Sequence, residues 1–185
     1  MASKYLTVAN SITITRLVIA LTSFVFMVLD QWSTAFVLLF LATILDIADG
    51  QVARRLHQVS KQGVFLDIMV DKIVILATFF FIGMRIEVLF FYLGILLLVR
   101  EYIMDTMRSI AASNHVVIPA DRLSKIKGVL LMTAMLIVIG NFAFTSNLVA
   151  NSMLQTSGTL LAVTGTLLAY VTLVRFLVAH RKVLA

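Results

Sequence analysis

Cysteine is absent from the 185-residue chain, so neither a disulfide nor a thiolate metal site can contribute to its structure or chemistry. Proline occurs once, as Pro119 in the polar stretch from Ser113 to Asp121, and none of the long apolar runs contains one. Charge is also scarce: 13% of residues are Asp, Glu, Lys or Arg, against a hydrophobic share of 61%. With a mean hydropathy of +1.05, that balance excludes an ordinary water-soluble domain and indicates an integral membrane protein. The net charge of +6 does not call for nucleic acid as a partner, because the basic residues stand at the ends of apolar runs, where they would meet anionic headgroups and phosphate-bearing substrates. Met1 to Asn10 is polar and lacks a clear cleavage site, so the first apolar run is expected to be retained.

The pattern predicts a single all-α membrane domain over residues 1–185, with six transmembrane helices behind a short interfacial segment, Met1 to Ala9. The spans are expected at about Asn10–Leu29, Ser33–Leu56, Gly63–Met84, Val88–Ala112, Ile126–Phe144 and Met153–Ala179. External turns fall at Asp30–Ser33, where Trp32 is expected as an interfacial anchor, at Arg85–Glu87 and at Thr145–Ser152. Lys4, Arg54, Arg55, Lys61, Arg108, Arg122, Lys125, Lys127, Arg181 and Lys182 then lie on one side, and Arg85 is the only basic residue on the other. The positive-inside rule puts both termini on the cytoplasmic face of a membrane of the bacterial inner type. Small and hydroxylic residues in helix six suit close helix packing, a homodimer contact among them.

Nine acidic residues are present, and four of them fall between Asp46 and Asp71. Residues three or four apart share a helix face, so Asp46 and Asp49 project together from one helix, and Asp67 and Asp71 from the next. The short connection makes these two helices antiparallel neighbours with their carboxylates facing across one gap. Four acceptor-only side chains in apolar surroundings repel one another unless cations bind among them, and an all-oxygen set favours Mg²⁺, Mn²⁺ or Ca²⁺ over zinc. Lys72 either snorkels or neutralises this cluster. Gly50 and Ala53 allow a close approach to the helix, by a neighbouring helix or by a flat ligand. Asn10, Thr13 and Arg16 form one stripe on the first helix; Asn10 as an N-cap with Arg16 snorkelling is one reading of it. On helix four, Glu101, Asp105 and Arg108 share a face with Arg100 nearby, forming either an ion-pair network or a phosphate site. Arg122, Lys125 and Lys127 are either a lipid-facing flank or part of an anion pocket with Arg108.

Read as D-x-x-D-G-x-x-A-R, eight residues, then G-x-x-x-D-x-x-x-D, the stretch Asp46–Asp71 resembles the signature of the CDP-alcohol phosphotransferase family at all eight of its fixed positions. The N-x-x-T-x-x-R opening at Asn10, the R-E pair at Arg100 with Arg108 beyond it, and S-K-x-K at Ser124 are similar to the phosphatidylglycerophosphate synthase branch. The resemblance implies phosphatidyl transfer from CDP-diacylglycerol to an acceptor hydroxyl, with release of CMP. It implies two ions, Mg²⁺ or Mn²⁺, on Asp46, Asp49, Asp67 and Asp71, with Asp71 also taking the acceptor proton. Asn10, Thr13, Gly50, Ala53, Arg54, Ser60 and Gly63 would border the CDP-lipid, Gly50 and Ala53 leaving room for cytidine and Arg54 meeting its phosphates. The acceptor phosphate would be met by Arg108 and Lys125, with Arg100 and Arg122. Glycerol 3-phosphate is the expected acceptor; inositol phosphate, inositol, serine and phosphatidylglycerol are alternatives within the family, and Ile68 stands where many glycerophosphate-using members have proline. Outside the family, the competing reading is a divalent-cation transporter with the aspartates lining an ion path.

Overall fold

Long apolar runs can satisfy their backbone groups away from water only within themselves, as helices. The computed structural model describes residues 8–55, 61–113, 122–144 and 148–184, with side chains placed within 10–46, 63–113, 123–144 and 151–180. Six α-helices follow in order: α1 (Val8–Val28), α2 (Trp32–Arg55), α3 (Lys61–Arg85), α4 (Val88–Ser113), α5 (Arg122–Phe144) and α6 (Leu148–Leu184). Residues 1–7 of the expected interfacial segment and residues 56–60, 114–121 and 145–147 of the expected connections lie outside the described residues. α5 begins four residues before the expected Ile126, so Lys125 and Lys127 belong to its opening turns. α6 also starts earlier than expected and continues past a non-helical residue, His180, at φ −112° and ψ 16°.

Among the described residues, three stretches are both long and apolar enough to cross a membrane: Asn10–Val28, Leu123–Phe144 and Asn151–His180. The uninterrupted apolar part of α2, Trp32–Asp46, is shorter. Acidic and basic side chains interrupt α3 and α4, and these are the residues that build the site below. Hydroxyls within the apolar stretches are satisfied locally: Thr15 donates to the Ser11 carbonyl at 2.9 Å, Thr78 to Val74 at 2.7 Å and Thr166 to Ala162 at 2.8 Å. Helical backbone thus absorbs polarity that would otherwise oppose burial.

Cross-helix contacts fix an alternating course. At one end Arg85 donates to the Val28 carbonyl at 3.4 Å and lies 3.7 Å from Asp30, joining the α1–α2 turn to the end of α3. Asp30 turns the chain there with a φ of 57°, a conformation to which Asp is better suited than most residues. At that same end Ser33 donates to the Ala143 carbonyl at 3.2 Å, and Asn141 bonds Asn151 across α5 and α6. Trp32, expected as an interfacial anchor, is 8% exposed, and its ring meets Phe142 edge-on at 4.7 Å and ties α2 to α5. Arg16, Asp46, Asp67, Asp71, Lys72, Glu101 and Lys127, contributed by α1 to α5, gather towards the opposite end.

α1 packs on α2 and α3, α5 on α2, α3 and α6, and α4 on α3 and α6. Among the described residues α2 and α3 do not pack on each other, contrary to the expected neighbouring pair. A short connection limits how far apart two helix ends can lie but does not force their faces together, and α1 and α5 each contact both. The core between them includes Met27, Leu39, Phe79, Ile82, Phe90 and Leu131. Two glycines of α6 are taken up inside the chain: a Cβ on Gly158 would come 2.5 Å from Val138, and one on Gly165 would come 2.8 Å from Leu131, both on α5.

At Gly83 α4 comes close to α3: a Cβ there would lie 2.3 Å from the Phe91 backbone nitrogen. Backbone cannot rotate aside as a side chain can, so Gly83→Ala must separate the helices or distort one. The expected loss is about 1–3 kcal/mol in stability. Thermal unfolding in detergent checks it against Gly128→Ala, where the added methyl would meet nothing within 4 Å. Equal midpoints for the two variants would show that the α3–α4 contact is not this close.

Candidate active site

Asp67 and Asp71 are one helical turn apart on α3, and Asp46 lies in the later turns of α2. Oxygens of these three carboxylates all lie within 4.8 Å of one another. Asp49 follows Asp46 on α2, but its side chain is outside the described residues. Although α2 and α3 do not pack together, the acids converge because α1 bridges them. Arg16, only 2% exposed, pairs through Nη1 with Asp46, through Nη2 with Asp71 at 2.8 Å and with Asp67 at 3.3 Å. Nη2 also donates to the Asp67 carbonyl at 3.4 Å. Snorkelling by Arg16 is therefore corrected: the guanidinium points into the bundle. Asn10 and Thr13 are buried on the same stripe of α1.

The donor set fits a divalent cation. Oxygens on opposite sides of an octahedral Mg²⁺ are about 4.2 Å apart, and Ca²⁺ spans more, so small side-chain shifts close the observed spacing around an ion. One guanidinium offsets one of the three carboxylate charges, leaving two for a hard cation. In the sequence Arg16 stands on the Asn10 stripe and in the N-x-x-T-x-x-R opening, neither of which assigns it to the carboxylates. The signal for more was its depth: six residues beyond Asn10, it stands inside an apolar run rather than at its end.

A second charged network lies beside the first. Lys72 does not neutralise the aspartate cluster; its Nζ donates to both Asp105 oxygens at 2.6 Å and lies 3.4 Å from Glu101. As the neighbour of Asp71, it is turned by about 100° around α3, which carries it towards α4. Glu101 accepts from Arg100 Nη1 and from Lys127 Nζ, each at 2.6 Å. Arg100, 3% exposed, also donates through Nε to the Ala169 carbonyl at 3.0 Å and through Nη2 to the Thr172 hydroxyl at 2.7 Å, linking α4 to α6. The helix-four acids thus form an ion-pair network, but beyond Arg100 their partners are Lys72 of α3 and Lys127 of α5 and not the Arg108 that shares their face.

Both sets line one cleft of about 350 Å³. Asp46, Asp71, Lys72, Arg100, Glu101, Arg108, Ser124, Lys125 and Lys127 contribute its polar wall, and Ile68, Ile75, Leu76, Leu97, Leu131 and Met132 contribute much of its apolar wall. Arg108 is half-buried and Lys125 exposed. Lys127, absent from the expected acceptor set, is a member of this wall through Glu101. Gly63 is half-buried in the first turn of α3. Gly50, Ala53 and Arg54 lie on α2 and Arg122 opens α5, but their side chains are outside the described residues, and Ser60 lies wholly outside them.

Chemically, the cleft sets a carboxylate cluster suited to a hard cation beside fixed cations suited to an anion. A family model described as CDP-alcohol phosphatidyltransferase matches residues 6–162. No curated protein matches the chain.

Proposed function

Because the chain belongs to the CDP-alcohol phosphatidyltransferase family, we propose that it moves the phosphatidyl group of CDP-diacylglycerol onto glycerol 3-phosphate, giving phosphatidylglycerol phosphate and CMP. One observation carries the choice of acceptor: Arg108, Lys125 and Lys127 line the same cleft as Asp46 and Asp71. Lys127 already holds Glu101, and an acceptor bearing its own phosphate gives Arg108 and Lys125 an anion to meet.

In this reading two ions, Mg²⁺ or Mn²⁺, held by Asp46, Asp49, Asp67 and Asp71, would neutralise the donor diphosphate and the charge left on CMP. Asp71 takes the proton of the acceptor hydroxyl. The freed oxygen attacks the phosphatidyl phosphorus as the bond from that phosphorus to the CMP oxygen breaks, and the bonding pair leaves with CMP. With no cysteine in the chain and no serine or histidine assigned as a nucleophile, transfer is direct. Arg108 and Lys125 hold the acceptor phosphate, with Arg122 assigned beside them. Arg100, with three nitrogens already bonded, fixes Glu101 and α6. Asn10, Thr13, Gly50, Ala53, Arg54, Ser60 and Gly63 are assigned to the CDP-lipid.

The same proposal has all six helices crossing the membrane, with the cleft and both termini on the cytoplasmic side of a bacterial-type inner membrane, where the soluble acceptor is available. It includes a homodimer, checked by native mass spectrometry from mild detergent. An ion path is disfavoured because Arg16 sits among the carboxylates, where a permanent positive charge opposes cation passage.

The test is CMP release by purified protein with CDP-diacylglycerol and Mg²⁺ or Mn²⁺, offered glycerol 3-phosphate, inositol phosphate, inositol, serine and phosphatidylglycerol in parallel. Glycerol 3-phosphate is expected to give the highest kcat/KM. Faster turnover with any of the others overturns the acceptor, and no CMP release with any of them overturns the activity.

A further inference from the structure

Arg16 serves neither the transfer step nor the acceptor phosphate as described above, yet it is among the most buried charged residues in the described chain. It contacts the same three carboxylates, Asp46, Asp67 and Asp71, whose oxygens make up the cation-sized cluster. We propose that Arg16 is the resident counter-cation of this cluster, competing with divalent ions for its carboxylates and thereby setting how tightly they are held. The inference rests on the cluster binding divalent ions and is independent of the acceptor.

The physical case has three parts. A buried guanidinium needs anions close by to offset its desolvation, and Arg16 finds them in this cluster. Its planar fork reaches several oxygens at once, and from α1 it spans acids on α2 and α3, helices with no direct packing among the described residues. It therefore keeps the carboxylates convergent without an ion. Once a divalent ion enters, however, the fixed positive charge a few ångströms away opposes it in a medium that screens poorly. Helix assembly and tight metal binding thus make opposite demands on one side chain. The result is a site that is preformed but moderated in affinity.

Isothermal titration of Mn²⁺ into metal-free protein in detergent, together with the thermal midpoint of that protein, tests the idea without reading turnover. Arg16→Met keeps much of the side-chain volume and removes the charge. Its Mn²⁺ Kd is expected to fall by roughly tenfold or more relative to the unsubstituted protein. The midpoint of its metal-free form should drop, and saturating Mn²⁺ should restore it. An unchanged or weakened Kd overturns the proposal, as does a metal-free midpoint equal to that of the unsubstituted protein. Should Arg16→Met not yield folded protein, Arg16→Lys decides. One ammonium cannot bridge the three acids as the fork does, so a Kd lowered about threefold supports the proposal, and an equal or raised Kd overturns it. Failure of the unsubstituted protein to bind Mn²⁺ at all would instead refute the metal site itself.

Discussion

Asp71→Asn is expected to lower CMP release by roughly 10³-fold or more while leaving CDP binding within about threefold of normal. The substitution preserves shape and one acceptor oxygen but removes the negative charge that would draw off the acceptor proton. Asp71 lines the cleft, so it has the access to an incoming hydroxyl that a base requires. It also belongs to the carboxylate cluster, and loss of a ligand alone could depress activity. The two effects separate by metal titration. Asp46→Asn, which alters a ligand without touching the proposed base, should regain much of its rate at high Mn²⁺. Asp71→Asn should not, because saturating the cluster does not supply a base. Recovery of Asp71→Asn to near-normal turnover at high Mn²⁺ would reduce Asp71 to a ligand, and normal turnover without added metal would remove it from both roles.

The clustering of these acids is partly legible in the sequence. Helical spacing alone sets Asp67 and Asp71 on one face of α3, and the scarcity of acids elsewhere in an apolar chain marks them out. Charge distribution likewise foretold which end of the bundle would be polar: the charged residues of the α1–α2 and α3–α4 turns are Asp30, Arg85 and Glu87, while the networks of Arg16 and Glu101 gather at the other end. What spacing cannot give is the neighbour across a gap. Connectivity favours α2 against α3, yet α1 and α5 pack against both while α2 and α3 do not pack on each other among the described residues; the acids still converge, their oxygens within 4.8 Å of one another around Arg16. Lys72 shows the same limit. Its charge was plain, but its partner depended on α4 packing against α3. The polar stretches of α2, α3 and α4 also explain why sequence counts six apolar runs while three of the described helices meet a strict test of length and apolarity. Charged residues that build a site within a helix dilute the apolar signal by which a span is recognised.

Arg108→Ala is expected to raise the KM for glycerol 3-phosphate by roughly 30- to 100-fold, and Lys125→Ala by only about five- to tenfold, with the KM for CDP-diacylglycerol unchanged in both. The ranking follows from environment. Arg108 is half-buried in the cleft wall and can present a planar fork to phosphate, whereas Lys125 is exposed, so water and salt weaken its charge. In the proposed reading both residues hold the acceptor before reaction as well as during it, so kcat should change less than KM. Raising the salt concentration should therefore reproduce part of the Lys125→Ala effect in the unsubstituted protein and little of the Arg108→Ala effect. Lys127 offers the internal comparison: it already binds Glu101 at 2.6 Å, so Lys127→Ala should disturb the Glu101 network and lower thermal stability as well as activity. Unchanged acceptor KM in both Arg108→Ala and Lys125→Ala would locate the phosphate elsewhere in the cleft. Equal rises for the donor and acceptor KM values would mean that these cations serve the donor diphosphate, and the case for a phosphorylated acceptor would go with them.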